Sequence, residues 1–436
     1  MAVTYWAPLF HFYQPPLQLP EVLAKVVVES YRPLLDVLEE YPDAQATVNI
    51  NAILTELLWQ HGYPDVIDRL KALAQRGQIE FTDSAKYHPI LPLLTQYEMR
   101  RQIRRNHLTN RHFFDEAYDP QGFFPPELAY SRQLLEPVLD AGCRWVILSG
   151  VACPVAWPMD VVHQVVADGD GLAVFFRDDI LSNKISFQGV DGQGFLEHLR
   201  SLREANGADH YVVTAMDAET FGHHIQNWDR LFLAEVYESI QQMAETYKQV
   251  QQAEPVATSH RRLVTMPEQP DLGEVRIVTI SQLLDKFPEG QRVEPRASSW
   301  STSNEDLAAN NPYPLWKDPR NRLHRLQWEH VELAQALLRK AQEVADGPTS
   351  RRHAEIARGL MDAALHSCQF WWASRRPYWD VNMINRGLSQ QEDVILNAFR
   401  AINLSGAPEE VKRDYYYRVV AVRDIRDKIR DQLFQE

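Results

Sequence analysis

The feature that most limits how this chain can fold is a rhythm. Seven short apolar runs recur through its first half: "TYWAPLFH" (4–11), "ATVNIN" (46–51), "QIEFTDS" (78–84), "GFFPPE" (122–127), "RWVILSG" (144–150), "LAVFFRD" (172–178) and "YVVTAMD" (211–217). Most are rich in β-branched or aromatic residues. That composition marks strands buried on both faces, as in a parallel sheet. Helix-period stretches lie between several of them, among them "EVLAKVVVESYRPLLDVLEEY", "AILTELLWQHG", "DVIDRLKALAQRG" and "RQLLEPVLDAG". Gly62, Gly77 and Gly142 stop these patterns where a helix-ending glycine belongs. Strands alternating with crossovers predict an α/β fold. The count favours a seven-stranded (β/α) barrel, with an open doubly wound sheet as the alternative.

The texture changes after about residue 250. "QQAEPVATSHRRLVTMPEQPDLGEV" reads as a polar connector, and "VRIVTISQLLDKF" as one more strand and a short helix. Residues 288–322 lack any period but carry Trp300, Tyr313 and Trp316. A long aperiodic segment in a compact chain is usually functional, so it is expected to be an active-site loop segment. From 323 to 436 the pattern is helical throughout. The expected division is therefore a catalytic barrel over 1–287, the loop segment over 288–322 and a C-terminal helical domain over 323–436.

Composition excludes several partners. The 436 residues carry a formal charge of −14, which repels phosphate backbones and argues against nucleic acid. No uncharged apolar run reaches membrane-helix length, so no membrane partner is expected. The N-terminus has no basic n-region, and the three cysteines do not suggest a disulfide framework. Both fit a cytoplasmic location. No glycine-rich nucleotide motif occurs, and no cofactor is expected. Oligomeric state is not legible.

Polar residues collect where the strand-like runs end. His11 and Gln14 follow the first, and Glu80, Asp83 and His88 belong to or follow the third. Glu127 ends the fourth and Arg177 the sixth, while Asp217, Glu219, His223 and His224 close the seventh. In a parallel α/β barrel these ends form one mouth. Glu127 and Asp217, on different strands, suit glycosidic cleavage by two facing carboxyls. Spacing alone equally allows Glu127 to begin a solvated loop and Asp217 to cap a helix. Adjacent histidines such as His223 and His224 diverge, so no metal is expected. Trp371 and Trp372 cannot share one helix face, which leaves one for the core and the other for a cleft.

Five ordered blocks give the chain a resemblance to glycoside hydrolase family 57. They are "HFYQPP" (11–16), "GQIEFTDSAKYHPILPLL" (77–94), "GFFPPELAYS" (122–131), "VVTAMDAETFGHH" and "SSWSTSNEDLAANNPYPLWKDPRNRLH" (298–324). The resemblance implies a seven-stranded barrel followed by helices. It also implies Glu127 as nucleophile and Asp217 as general acid/base of a retaining enzyme acting on α-1,4-linked glucan in an amylase-like manner, through a covalent intermediate. Tyr13 stands where the first block often has a second histidine, which bears on how the sugar is held. The expected substrate-binding shell is His11, Gln14, Glu80, His88, Arg177, Glu219 and His223, with Trp300, Trp316 and Trp372 stacking on sugars. At rest, Glu127 is expected ionised and Asp217 protonated. A 4-α-glucanotransferase or branching enzyme would use the same pair. A non-catalytic glucan-binding protein and a metal-dependent deacetylase or mannosidase are the alternatives from other classes.

Overall fold

The computed structural model describes residues 2–157, 160–167, 169–252, 275–376 and 379–434. Most of the polar connector expected after residue 250 lies outside these. All seven apolar runs contain strands: β1 (Thr4–Phe12), β2 (Ala46–Ile50), β3 (Ile79–Asp83), β4 (Gly122–Phe123), β5 (Trp145–Ser149), β7 (Asp170–Arg177) and β8 (His210–Asp217). Three further strands join them. They are β6 (Val162–Ala167), the expected β9 (Val275–Ile277), and β10 (Glu289–Arg292) at the start of the aperiodic segment.

The sheet runs β10-β6-β7-β5-β4-β3-β2-β1-β8, with β9 beside the first half of β1. Every ladder is parallel except β6–β7, a hairpin-like pair. β7 and β8 also meet: the Asp178 amide donates to the Val213 carbonyl at 2.8 Å. Successive side chains of a strand face opposite ways. Ala7, Leu9, Ile147, Phe175, Val213 and Ala215 therefore form one apolar cluster, while Phe10, Phe12, Val48 and Phe81 join the crossover helices in another.

Local choices explain the crossovers. Gly62, Gly77 and Gly142 have φ of 83°, 72° and 81°, the left-handed conformation that ends a helix without Cβ strain. Helix Gln96–Phe114, between β3 and β4, was not evident from its periodicity, because part of its inward face is polar. Gln102, Asn106 and Asn110 are fully buried there. Asn106 accepts from the Ala52 amide at 2.9 Å and donates to Asp83, while Asn110 accepts from the Thr55 hydroxyl at 2.8 Å.

Helices Arg322–Val344, Pro348–Ala364, Val381–Asn403 and Glu409–Phe434, with the short turn Cys368–Trp371, make up most of the C-terminal third. Their residues Trp328, Val331, Ala357 and Val394 share a core cluster with Val146, Leu148, Val174 and Phe176 of the sheet. Arg358 fastens the same junction by donating to Glu98 at 2.6 Å and to Asp362 at 2.8 Å, all three buried. No described helix is long and apolar enough to cross a membrane.

Candidate active site

Asp217 is the last residue of β8, and the ladder sets it opposite His11 of β1. Glu127 lies in the turn just after β4. β4 runs close to Trp145, whose ring would stand 2.0 Å from any Cβ at Gly122. Pro125 and Pro126 stiffen the exit, and Glu127 (φ 60°, ψ 19°) and Leu128 (φ 48°) follow in the left-handed region. Non-glycine residues hold that conformation only where surroundings enforce it. Here the Trp300 amide donates to the Glu127 carbonyl at 3.0 Å, and Trp300 Nε1 donates to Glu127 Oε2 at 2.7 Å.

The two carboxyls feel each other. Burial, with the charge of Asp217 added, pushes Glu127 up to about 8. Burial also raises Asp217, opposed by His11 and Arg177. Glu219 is likewise pushed up to about 8, by burial first and Asp217 second. Burial thus holds both carboxyls toward the protonated form, and Asp217 is the one that His11 and Arg177 draw back toward charge. Coupled carboxyls titrate as a pair, and near neutral pH this one retains a proton.

Histidines and aromatics frame Glu127. His88 Nδ1 lies 3.6 Å from Glu127 Oε1, and its Nε2 is 3.1 Å from Nε2 of His11. His11 Nδ1 is 2.7 Å from Asn49 Oδ1. Burial lowers both imidazoles, His88 strongly, so both are neutral. Tyr13 stacks on His88 with ring centroids 3.9 Å apart, and its hydroxyl lies 3.4 Å from Cys368 Sγ. The Arg177 guanidinium sits 5.8 Å from the centre of the Trp300 ring.

The structure thus brings His11, His88, Arg177 and Trp300 to the carboxyl pair. Gln14 and Glu219 form a buried polar cluster beside it: Glu219 accepts from Gln14 at 2.7 Å and from the Tyr31 hydroxyl. Glu80 is elsewhere. It shares a sheet face with Thr82 but lies two residues nearer the strand's start, accepting from Thr47 at 2.8 Å and from the Ser281 amide at 3.0 Å. It seats the amino end of helix Ile280–Lys286. Trp316 is fully buried in the core, so it offers no face for a sugar. Trp371 packs against the large core and Trp372 against a separate cluster around Leu323, Ile384 and Ile425. The two rings pack against different clusters yet meet edge to face, with centroids 4.7 Å apart, so the expected split into one core ring and one cleft ring is not what the packing shows. His223 pairs with Glu29 at 2.7 Å.

Sequence reasoning missed Asn49, Phe124, Ser367 and Cys368. Phe124, directly before the prolines, stacks on His11 with centroids 4.7 Å apart. Ser367 Oγ is 2.9 Å from His88 Nδ1. The sequence carries no signal for it, because the helical pattern runs on through residue 367. Among the described residues no group of three or more His, Cys, Asp or Glu is arranged to hold a metal ion.

A family model described as glycosyl hydrolase family 57 matches residues 8–267, more than half of the chain. The chain belongs to glycosyl hydrolase family 57. Similar proteins include an alpha-amylase of Pyrococcus horikoshii, 28% identical over 242 residues that are 53% of this chain and 36% of that protein. A 4-alpha-glucanotransferase of Thermococcus litoralis is 26% identical over 220 residues, 49% of this chain and 32% of that protein. The chain spans about a third of the length of these curated relatives. Among solved structures, a GH57-type branching enzyme of Pyrococcus horikoshii is similar with a TM-score of 0.67 at 15% identity, covering 95% of this chain and 94% of that one. At that identity the likeness concerns the fold.

Proposed function

We propose that this family 57 chain is a retaining glycoside hydrolase that cleaves α-1,4-linked glucan in an amylase-like manner. The observation that carries the reading is the carboxyl pair: Glu127, held by Trp300 in a left-handed turn, within electrostatic reach of Asp217. β1–β5, β7 and β8 are read as a closed (β/α)7 barrel, supported by the Asp178–Val213 bond. The C-terminal helices are read as a second domain lying against it.

In the first step a Glu127 oxygen bonds to the anomeric carbon. The glycosidic oxygen leaves with its electron pair and takes the proton of Asp217. In the second step a water oxygen bonds to that carbon, its proton passes to Asp217, and the Glu127 carboxylate is released. The leaving oxygen, by accepting from Asp217, selects the productive arrangement of the shared proton. Trp300 Nε1 keeps the Glu127 carboxylate oriented, and neutral His11 and His88 back it, their ring nitrogens engaged with Asn49, with each other and with Ser367.

The same pair would transfer glucan if a sugar hydroxyl replaced the water, a reading favoured by the glucanotransferase and branching enzyme among the similar proteins. Incubation with maltoheptaose decides between them. Shorter products only are expected, and longer or branched products would establish transfer. Glu127→Gln and Asp217→Asn should each lower kcat at least about 10³-fold, and near-normal turnover in either would refute the assignment.

A further inference from the structure

We propose that Ser367, delivered by the C-terminal helices, is a positioning residue for the nucleophile: its hydroxyl hydrogen is shared between His88 and Glu127 and follows the charge of Glu127. This rests on Glu127 being the nucleophile, but the contact stands independently of it.

Ser367 is fully buried, between helix Pro348–Ala364 and the short turn Cys368–Trp371. It occupies the N-cap position of that turn, yet its hydroxyl makes no capping hydrogen bond. The usual structural role of a serine there is therefore not in use. Instead its amide donates to the His88 carbonyl at 3.1 Å, and its Oγ lies 2.9 Å from His88 Nδ1. The same His88 Nδ1 is 3.6 Å from Glu127 Oε1, and the Ser367 hydroxyl is among the groups that pull the Glu127 carboxyl down against burial. Hydroxyl and carboxyl thus flank the same nitrogen of residue 88, whose own φ of 54° the amide contact helps to hold.

The hydrogen-bond chain behind His88 fixes which atoms carry protons. Asn49 Nδ2 donates to Thr82 Oγ1 at 2.9 Å, which turns Asn49 Oδ1 toward His11. His11 Nδ1 then carries the hydrogen, and neutral His11 accepts at Nε2. His88 must donate from Nε2 across the 3.1 Å contact, which leaves its Nδ1 bare. Ser367 has one hydrogen and three groups in reach, His88, Glu127 and the Cys368 thiol, whose neutral sulfur is the weakest acceptor. A charged carboxylate outcompetes a neutral imidazole for it. When Glu127 is protonated or glycosylated, the hydroxyl turns to His88. When the glycosyl–Glu127 bond breaks and its electron pair returns to the carboxylate, the hydroxyl turns back and stabilises the forming charge.

Other groups also face Glu127. Asp217 on β8 raises it, while Trp300 from the aperiodic segment lowers it. Tyr13 on the β1 side and Cys368 on the short turn are both neutral in this setting, their ionisation raised by burial and further by Glu127 itself. His366 adds to the forces that keep His88 uncharged. Truncating Ser367 removes a hydroxyl that also bears on the Cys368 thiol, and leaves Asp217, Trp300, Tyr13 and His366 in place.

The test is a titration of the Glu127 carboxyl by carbon-13 NMR in glutamate-labelled full-length protein, the signal assigned by its loss in Glu127→Gln. In Ser367→Ala the midpoint should rise by about one pH unit, and Ser367→Thr should restore it. The deglycosylation rate should fall about tenfold in Ser367→Ala. Should Ser367→Ala not fold, Ser367→Cys, a weaker donor, should show a smaller rise. A midpoint equal to wild type in the variants that fold would overturn the proposal. Absence of glucan turnover by the wild type would refute the function proposed above, and the titration would still decide the role of Ser367.

Discussion

Glu127 and Asp217 make different demands on their surroundings although both are buried carboxyls. Burial holds both toward the protonated form; His11 and Arg177 oppose this at Asp217, and the charge of Asp217 lifts Glu127 further. In the reaction proposed above the pair must hold one proton, since cleavage needs a donor as well as a nucleophile. As pH rises through about 8 that proton is lost from the pair. The expected result is a kcat/KM that falls above about pH 8, read from a pH–rate profile on maltoheptaose. Asp217→Asn removes the charge that raises Glu127, so the Glu127 carboxyl should titrate lower in that variant. The two carboxyls were visible in the sequence because each ends an apolar run. Their mutual effect on ionisation was not, because it depends on burial and on neighbours such as His11 and Arg177 that only the sheet brings near.

At the scale of elements, strands were legible and the direction of their side chains less so. β1 to β5, β7 and β8 stood out because burial on both faces leaves continuous apolar runs. β10, "EGQR", has no such run, for it pairs at the edge of the sheet with β6 and is largely exposed. Glu80 was assigned to the sugar because it belongs to a strand that precedes His88. In the structure its carboxyl, raised by burial, anchors a helix end instead. Glu80→Ala should therefore cost about 1–3 kcal/mol of stability by stranding the Ser281 amide and Thr47 hydroxyl, while kcat/KM of the folded enzyme stays within about twofold. Denaturant unfolding and initial rates together check this. A large loss of kcat/KM at unchanged stability would return Glu80 to the substrate. Trp316 fell to a similar ambiguity: its sequence neighbours cannot tell an indole in a cleft from one in a core.

At the scale of the molecule, the site is a junction of segments that meet only in the native state. β1 brings His11, and β8 brings Asp217. The turn after β4 brings Glu127, the aperiodic segment brings Trp300, and the last third of the chain brings Ser367 and Cys368. Contacts such as Tyr13 to Cys368 and His88 to Ser367 close loops of 355 and 279 residues. Loops of that length are entropically late to form. Turnover should therefore be the last property regained when the denatured chain is diluted into buffer. Intrinsic indole fluorescence, dominated by buried rings such as Trp6 and Trp145, should recover in an earlier phase than enzymatic rate, and simultaneous recovery would count against this order. A nascent chain still lacking its final segments would accordingly be inert toward the polymer around it.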